Sequence, residues 1–404
     1  MHSIPIAQPL IVELPEDAAP ATTVTRPMRP KLPALTTLRF FAALHVVLFH
    51  MRVIGILSGG PWWYQNFASI GYIGVNLFFV LSGFILVYTY AGPALNIRRF
   101  WQARFARIYP AYVVSLLASA PFFFFAVRTL NLPFFAWSKQ HLVTACVLTL
   151  SLLQSWIPNA ALTWNSVCWS LSVEAFFYAV FPLLLLWTAD TKPRKLFLWM
   201  IGSSLVSLSI SLLYVLLHPD GISKINSGET TLLWKNILSF NPLFRLPELL
   251  VGVFAGRLFL ARNGNRKLAT PLVIGGLAIV AAITVLVGKI PSPFISAGFL
   301  SPAFAAIIYG LALRPRWSRL LEARWLVLLG DASYSLYLLH SIVISKVFDR
   351  LPHLPWWLRV CAALAAALGA SLISYLIVEE PARRLLRPGG KAAARRLQSQ
   401  AAPA

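Results

Sequence analysis

Eleven apolar runs divide this chain, near residues 37–57, 69–91, 108–128, 141–157, 166–188, 197–217, 237–260, 271–289, 294–313, 325–348 and 357–378. About twenty such residues in a row cross a hydrocarbon core of ~30 Å as a helix, the form that satisfies every backbone polar group within one segment. Hydrophobic residues fill 58% of the 404 positions and charged ones 12%, with a mean hydropathy of +0.70, a balance outside the range of soluble globular chains. The fold class that follows is all-α: a polytopic integral membrane helical bundle.

The charge of +22 argues for orientation rather than for nucleic acid, because the basic residues fall between the apolar runs and not on one soluble face. With the N-terminus in the cytoplasm, segments 26–39, 98–107, 192–195, 257–267, 314–324 and 383–396 face inward and hold 25 of the 35 Lys and Arg residues. That satisfies the positive-inside rule only if one run between Arg107 and Lys192 fails to cross. The weakest is 141–157, HLVTACVLTLSLLQSWI, short and rich in Thr, Ser and Gln. The expectation is therefore about ten transmembrane helices, both termini cytoplasmic, and an outer-face loop at roughly 129–165 holding a re-entrant or interfacial segment. Residues 1–34, with seven prolines and no apolar core, read as a flexible cytosolic tail, 35–380 as the membrane domain and 381–404 as a basic cytosolic tail. Cysteines 146, 168 and 361 match no metal or redox spacing, and no P-loop, GxGxxG or HExxH pattern is present. These absences argue against nucleotide hydrolysis, dinucleotide redox chemistry and zinc proteolysis.

Ionisable groups inside apolar runs are costly and mark pathways or reaction sites. In LRFFAALHVVLFHM, Arg39 and His50 are eleven residues apart, ~20° from a common line on a helix and ~16 Å along its axis. His50 falls at roughly mid-membrane and Arg39 at the cytosolic mouth, while His45 lies ~140° away on another face. In GYIGVNLFFVLSGFILVYTY, Gly71, Gly74 and Gly83 suit close helix approach, with Asn76 and Ser82 the polar residues; Asn76 suits either an interhelical hydrogen bond or a site contact. Arg98 and Arg99 suit anionic lipid headgroups. Arg104 and Arg107, i and i+3 beside Tyr109 and Pro110, are either topogenic charge or a phosphate site for a soluble donor. Ser170, Glu174 and Tyr178 form an i, i+4, i+8 stripe at the outer end of the fifth span, where the carboxylate is either functional or paired with a residue such as Arg245. Arg245 and Glu248 can neutralise one another, and Gly252 and Gly256 form a packing face. Ser333, Tyr337 and His340 or Ser341 share a late stripe, and Glu379 and Glu380 suit ion pairs with nearby arginines.

An intramembrane histidine, an outer-side carboxylate and a cytosolic arginine cluster fit group transfer from a phosphate-bearing donor: a neutral histidine can take a hydroxyl proton as the oxygen attacks a thioester. The same parts would suit a proton-coupled transporter of a small anion or lipid-linked sugar, although the runs show no paired halves with matching broken spans.

At these residues the chain resembles the bacterial integral-membrane acyltransferase-three family, which acylates hydroxyls of surface and exported saccharides from acyl-CoA. Arg39 to His50 is similar to that family's Arg-x10-His pattern, and GVNLFFVLSGF, RFARIYP, WSLSVEAFFYAVFP, DASYSLYLLH and VEEP resemble its later motifs in order. Asn76 departs from the usual acid, and Ala175 with Phe176 from a common Glu-Gln pair. The resemblance implies His50 as catalytic base, Arg39 as its partner, Glu174 as an essential outer-side residue, Arg104 and Arg107 with Tyr109 at the CoA end, and Glu379 as the closing acid. It implies acetyl-CoA or another acyl-CoA as co-substrate, with no permanently bound cofactor or metal. The acceptor it implies is an exopolysaccharide or its lipid-linked precursor, and the place a bacterial inner membrane. Many relatives carry an additional periplasmic esterase-like domain. Without one, transfer is finished by the membrane domain or handed to another polysaccharide-biosynthesis protein.

Overall fold

The computed structural model describes residues 29–386, except 58, 93–94, 227 and 262–263; most of the two expected tails, 1–28 and 387–404, lies outside the described residues. Met1–Pro30 and Lys31–Ala404 separate as two units, and the bundle belongs to the second. Its helices are α1 (Pro33–Val53), α2 (Trp62–Ser69), α3 (Ile73–Tyr90), α4 (Ile97–Thr129), α5 (Pro133–Gln140), α6 (Leu142–Leu150), α7 (Trp169–Trp187), α8 (Pro193–Leu217), α9 (Leu233–Phe240), α10 (Pro242–Ala261), α11 (Ala269–Leu286), α12 (Ser292–Ser296), α13 (Ser301–Ala312), α14 (Arg324–Asp331), α15 (Ser333–Arg350), α16 (Trp356–Ser374) and α17 (Glu380–Leu386). No strand occurs among the described residues.

Eight described segments are long and apolar enough to cross a membrane, nine if α14 and α15, bent by 64° to one another, form one broken span. The chain is a multi-pass helical membrane protein. The count of ten from sequence includes α10, which has the length at 20 residues but carries Arg245, Glu248 and Arg257.

Local chemistry sets the ends of these helices. Proline occupies the first turn of α1, α5 and α8, where its missing N–H goes unused. Gly55, at φ +88, turns the chain away just past α1. The Asn96 side chain accepts from the Arg99 amide and caps α4.

Burial separates centre from rim. In α3, 67% of the spanning residues are buried, against 22% in α8 and 17% in α11, which leave most of their apolar surface to lipid. The centre is held by small residues, as the glycine patterns predict: α3 and α10 cross with Gly83 against the Leu249 carbonyl and Gly252 against the backbone of Val80 and Phe84. A phenylalanine cluster that includes Phe79, Phe100, Phe177, Phe181 and Phe254 fills the space between α3, α4, α7 and α10.

The segment 141–157 does not cross. Helix α6 has nine residues, about 13 Å, against a core of ~30 Å. The chain after it is not simply an outer-face loop: Gln154, Ser155, Thr163 and Asn165 are buried in the bundle. Irregular backbone survives there because it is bonded. Gln154 donates to the Cys168 carbonyl (3.0 Å), Ser155 to Trp169 (2.7 Å) and Asn165 to Leu338 of α15 (3.1 Å). Helix α7 therefore starts inside the protein.

Candidate active site

Five spans leave a cavity of about 80 Å³ between them. Helix α1 contributes Arg39, α3 Ser82, α4 Arg104 and Arg107, α7 Ser170, Glu174 and Tyr178, and α15 Ser333, Tyr334 and Tyr337. Apolar side chains, among them Val75, Phe78, Phe79 and Leu171, complete the wall.

Each polar group arrives by helix periodicity. Arg104 and Arg107 share a face of α4, whose 33 residues extend ~50 Å, so that residues two and three turns in are already between neighbouring helices. The Arg104 guanidinium lies 5.3 Å from the ring centre of Tyr90 and 5.7 Å from that of Tyr178, and donates to the Tyr90 hydroxyl at 3.0 Å. Its buried Nε has no partner among the described residues. On α7, Tyr178 donates across one turn to Glu174 Oε1. The Ser170 and Tyr337 hydroxyls lie 2.8 Å apart, and both reach the Val167 carbonyl, Tyr337 at 2.8 Å and Ser170 at 3.3 Å.

Three guanidinium groups thus face one carboxylate, and among the described residues no salt bridge within 4 Å joins them. The cavity is a cationic chamber suited to a phosphate or carboxylate.

Glu174 is not at the far end from the arginines, as the stripe in sequence suggested: it shares their chamber, because α7 begins inside the bundle and α4 carries its arginines deep. The alternative ion pair with Arg245 is not made either. Arg245 is buried, donates to Asn76 Oδ1 at 3.0 Å and pairs with Glu248 at 3.3 Å, while Asn76 Nδ2 donates to the Ile295 and Ser296 carbonyls at 3.3 Å. Asn76 is an interhelical bond, outside the chamber. Tyr109 is outside it too, stacked on Phe105 at 4.6 Å and donating to the Leu150 carbonyl at 3.1 Å. Two residues from Arg107 on a helix is a rotation of ~200°, which points Tyr109 the other way.

Arg39 lines the chamber, and His50 does not. His50 falls in the last turn of α1, about 10 Å past the helix midpoint, since α1 starts at Pro33 and ends at Val53. There His50 Nδ1 lies 3.0 Å from the Val46 carbonyl and 3.1 Å from His340 Nε2, and His340 Nδ1 lies 3.1 Å from the Leu336 carbonyl. The pair adjoins the chamber through Tyr337, whose ring centre is 6.0 Å from that of His340, with Phe78 edge-on to Tyr337. His45 is engaged elsewhere, its Nε2 2.7 Å from the Phe67 carbonyl and its ring stacked on Phe67.

Glu380 takes the expected arginines, Arg383 and Arg384. Glu379 does not: it is buried and accepts from Ser335 at 3.0 Å. One π-helical turn, Tyr375–Glu379, advances the phase and directs Glu379 into the bundle. Sequence reading missed Tyr334, which lines the chamber and donates to the Ile108 carbonyl at 2.7 Å, and Tyr90, the partner of Arg104. Tyr334 stands beside Ser333 in the DASYSLYLLH segment, but it falls off the i, i+4 stripe of Ser333 and Tyr337.

Sequence comparison places the same helices in a family. The chain is 29% identical over 378 residues to the acyltransferase MdmB of Streptomyces mycarofaciens, an alignment covering 88% of this chain and 92% of that protein. It is 25% identical to the O-acetyltransferase OatA of Staphylococcus aureus, over 87% of this chain and 57% of OatA. Against the putative peptidoglycan O-acetyltransferase YrhL of Bacillus subtilis identity is 27%, over 87% and 55% respectively, so the chain spans a little over half the length of these two relatives. No solved structure matches it. Residues 32–376, which include the chamber and both histidines of the pair, match the Acyltransferase domain family, and the chain belongs to that family of membrane acyltransferases.

Proposed function

We propose that this protein is an acyl-CoA-dependent O-acyltransferase of a bacterial inner membrane, transferring an acetyl group to a sugar hydroxyl of an exopolysaccharide or its lipid-linked precursor, with His50 as general base. The observation that carries this reading is the chamber of Arg39, Arg104 and Arg107 beside a histidine pair in which His340 is buried and His50 half-buried. Guanidinium groups bind the phosphates of a nucleotide thioester bidentately, and a histidine about three helical turns deeper suits the thioester end. The ~16 Å from Arg39 to His50 along α1 suits a donor that is phosphorylated at one end and reactive at the other, its arm passing Tyr337 and Phe78. With the basic segments inward, the arginine end faces the cytosol, where acyl-CoA is made. The relatives named as O-acetyltransferases support oxygen as the acceptor atom and acetyl as the group.

In this reading the acceptor oxygen attacks the thioester carbonyl as its proton passes to His50. The tetrahedral intermediate then expels the CoA thiolate, which takes that proton from the imidazolium, leaving an ester and a free thiol. Ser170, Tyr337 and the chamber arginines supply the polar groups through which the acyl end passes, and Glu174 orders Tyr178 against Arg104.

The test is purified protein in nanodiscs with acetyl-CoA, scored by release of free CoA with and without polysaccharide. Acceptor-dependent release that is lost in His50→Ala supports the reading. No release with any saccharide acceptor, together with proton-driven solute uptake in liposomes, would replace it with a transporter.

A further inference from the structure

We propose that His340 is the positioning residue of the His50 base, joining the Val46 carbonyl in holding the tautomer that leaves His50 Nε2 unprotonated. This rests on the reading of His50 as the base.

The assignment follows from which atoms can only accept. A carbonyl oxygen has no proton to give, so His340 Nδ1, 3.1 Å from the Leu336 carbonyl, carries one. His340 is fully buried, and among the described residues no carboxylate bonds either ring, so the ring is held neutral and its Nε2 is a bare lone pair. That lone pair lies 3.1 Å from His50 Nδ1, and the Val46 carbonyl lies 3.0 Å from the same atom. Both neighbours accept. His50 Nδ1 must therefore hold the proton, shared between them, which leaves the basic lone pair of His50 on Nε2, the nitrogen with no hydrogen-bond partner among the described residues. The other tautomer would bring three lone pairs together.

The same geometry supports the reaction. As His50 takes a proton it becomes an imidazolium whose Nδ1–H points at two acceptors, so the charge is stabilised and the ring does not rotate. The proton goes no further, because the remaining N–H of His340 ends on a main-chain carbonyl. His340 holds the base and does not relay. An aspartate in its place would do the same with a charge; a neutral imidazole does it without burying one.

The experiment has two arms. Solid-state ¹⁵N NMR of histidine-labelled protein in nanodiscs, with His50→Gln and His340→Gln for assignment, reads the resting tautomers without requiring activity. Both rings should be protonated on Nδ1; a proton on His50 Nε2 would overturn the proposal even if His50→Ala is inactive. In the kinetic arm, His340→Leu removes the acceptor and should lower kcat about 10- to 100-fold, less than the 10²–10⁴ that a general base supplies, with both KM values within about two-fold. His340→Gln places an amide oxygen near the former Nε2 and should restore kcat to within about three-fold. Equal losses in both variants, or losses in KM alone, would make His340 a packing residue. If the tautomers are as stated and His50→Ala still transfers, the base reading itself fails, and with it the catalytic role of both rings.

Discussion

Residues of one chemical type differ here by the partners they meet. His50 and His45 are chemically alike, yet one bonds His340 and the other the Phe67 carbonyl. His50→Ala should abolish transfer at normal expression, while His45→Ala retains most of it; equal loss in a CoA-release assay would sink the distinction. Arg104 and Arg107 offer charge-assisted hydrogen bonds worth about 1.5–3 kcal/mol each, so changing either to Ala should raise the donor KM roughly ten- to a hundred-fold and leave the acceptor KM within about three-fold. An unchanged donor KM would return them to topogenic charge. Arg245 belongs to a different class. It ties α10 to α3 through Asn76 and is buried with Glu248, so Arg245→Met strands two polar partners and should cost about 3–5 kcal/mol, read as a loss of folded protein on thermal scanning in detergent. Near-normal stability with a raised donor KM would instead place it in the site.

At the scale of elements, close helix approach is what brings these residues within reach of one another. On α11, Gly276 faces α13, where an added Cβ would stand 2.6 Å from Ile307 Cγ1 and 2.7 Å from the Ala303 carbonyl, whereas Gly275 has nothing within 4 Å. Gly276→Leu should destabilise by about 1–3 kcal/mol and Gly275→Leu by less than about 0.5, adjacent positions with opposite outcomes on the same melting curve. The breaks matter as much as the helices. The 64° bend between α14 and α15 sets Ser333, Tyr334 and Tyr337 on the chamber, and the bonded irregular segment at 151–168 starts α7 deep enough to bring Glu174 to the arginines. Hydropathy reads length and polarity, and neither a bend nor an inward-tucked start leaves a mark on it.

For the whole molecule, orientation rests on the 25 basic residues assigned to inward-facing segments. In a background with Cys146, Cys168 and Cys361 replaced, single cysteines at Gly228 and Gly288 should react with an impermeant maleimide on intact cells, and those at Asn265 and Arg316 only after permeabilisation. The reverse pattern would invert the topology and put the arginine chamber on the outer side. The sequence by itself determined that this is a multi-pass helical membrane protein, that 141–157 is too short and polar to cross, and most of the residue types the site uses. These are local properties, carried by hydropathy, by the 3.6-residue period and by motifs read within one helix. Only the tertiary structure decided that Glu174 sits with the arginines, that Asn76 and Tyr109 stand apart, that Glu379 turns inward, and that His50 meets His340. That last contact joins residues 290 positions apart, and periodicity within a helix fixes the face a side chain occupies but not the helix it will meet.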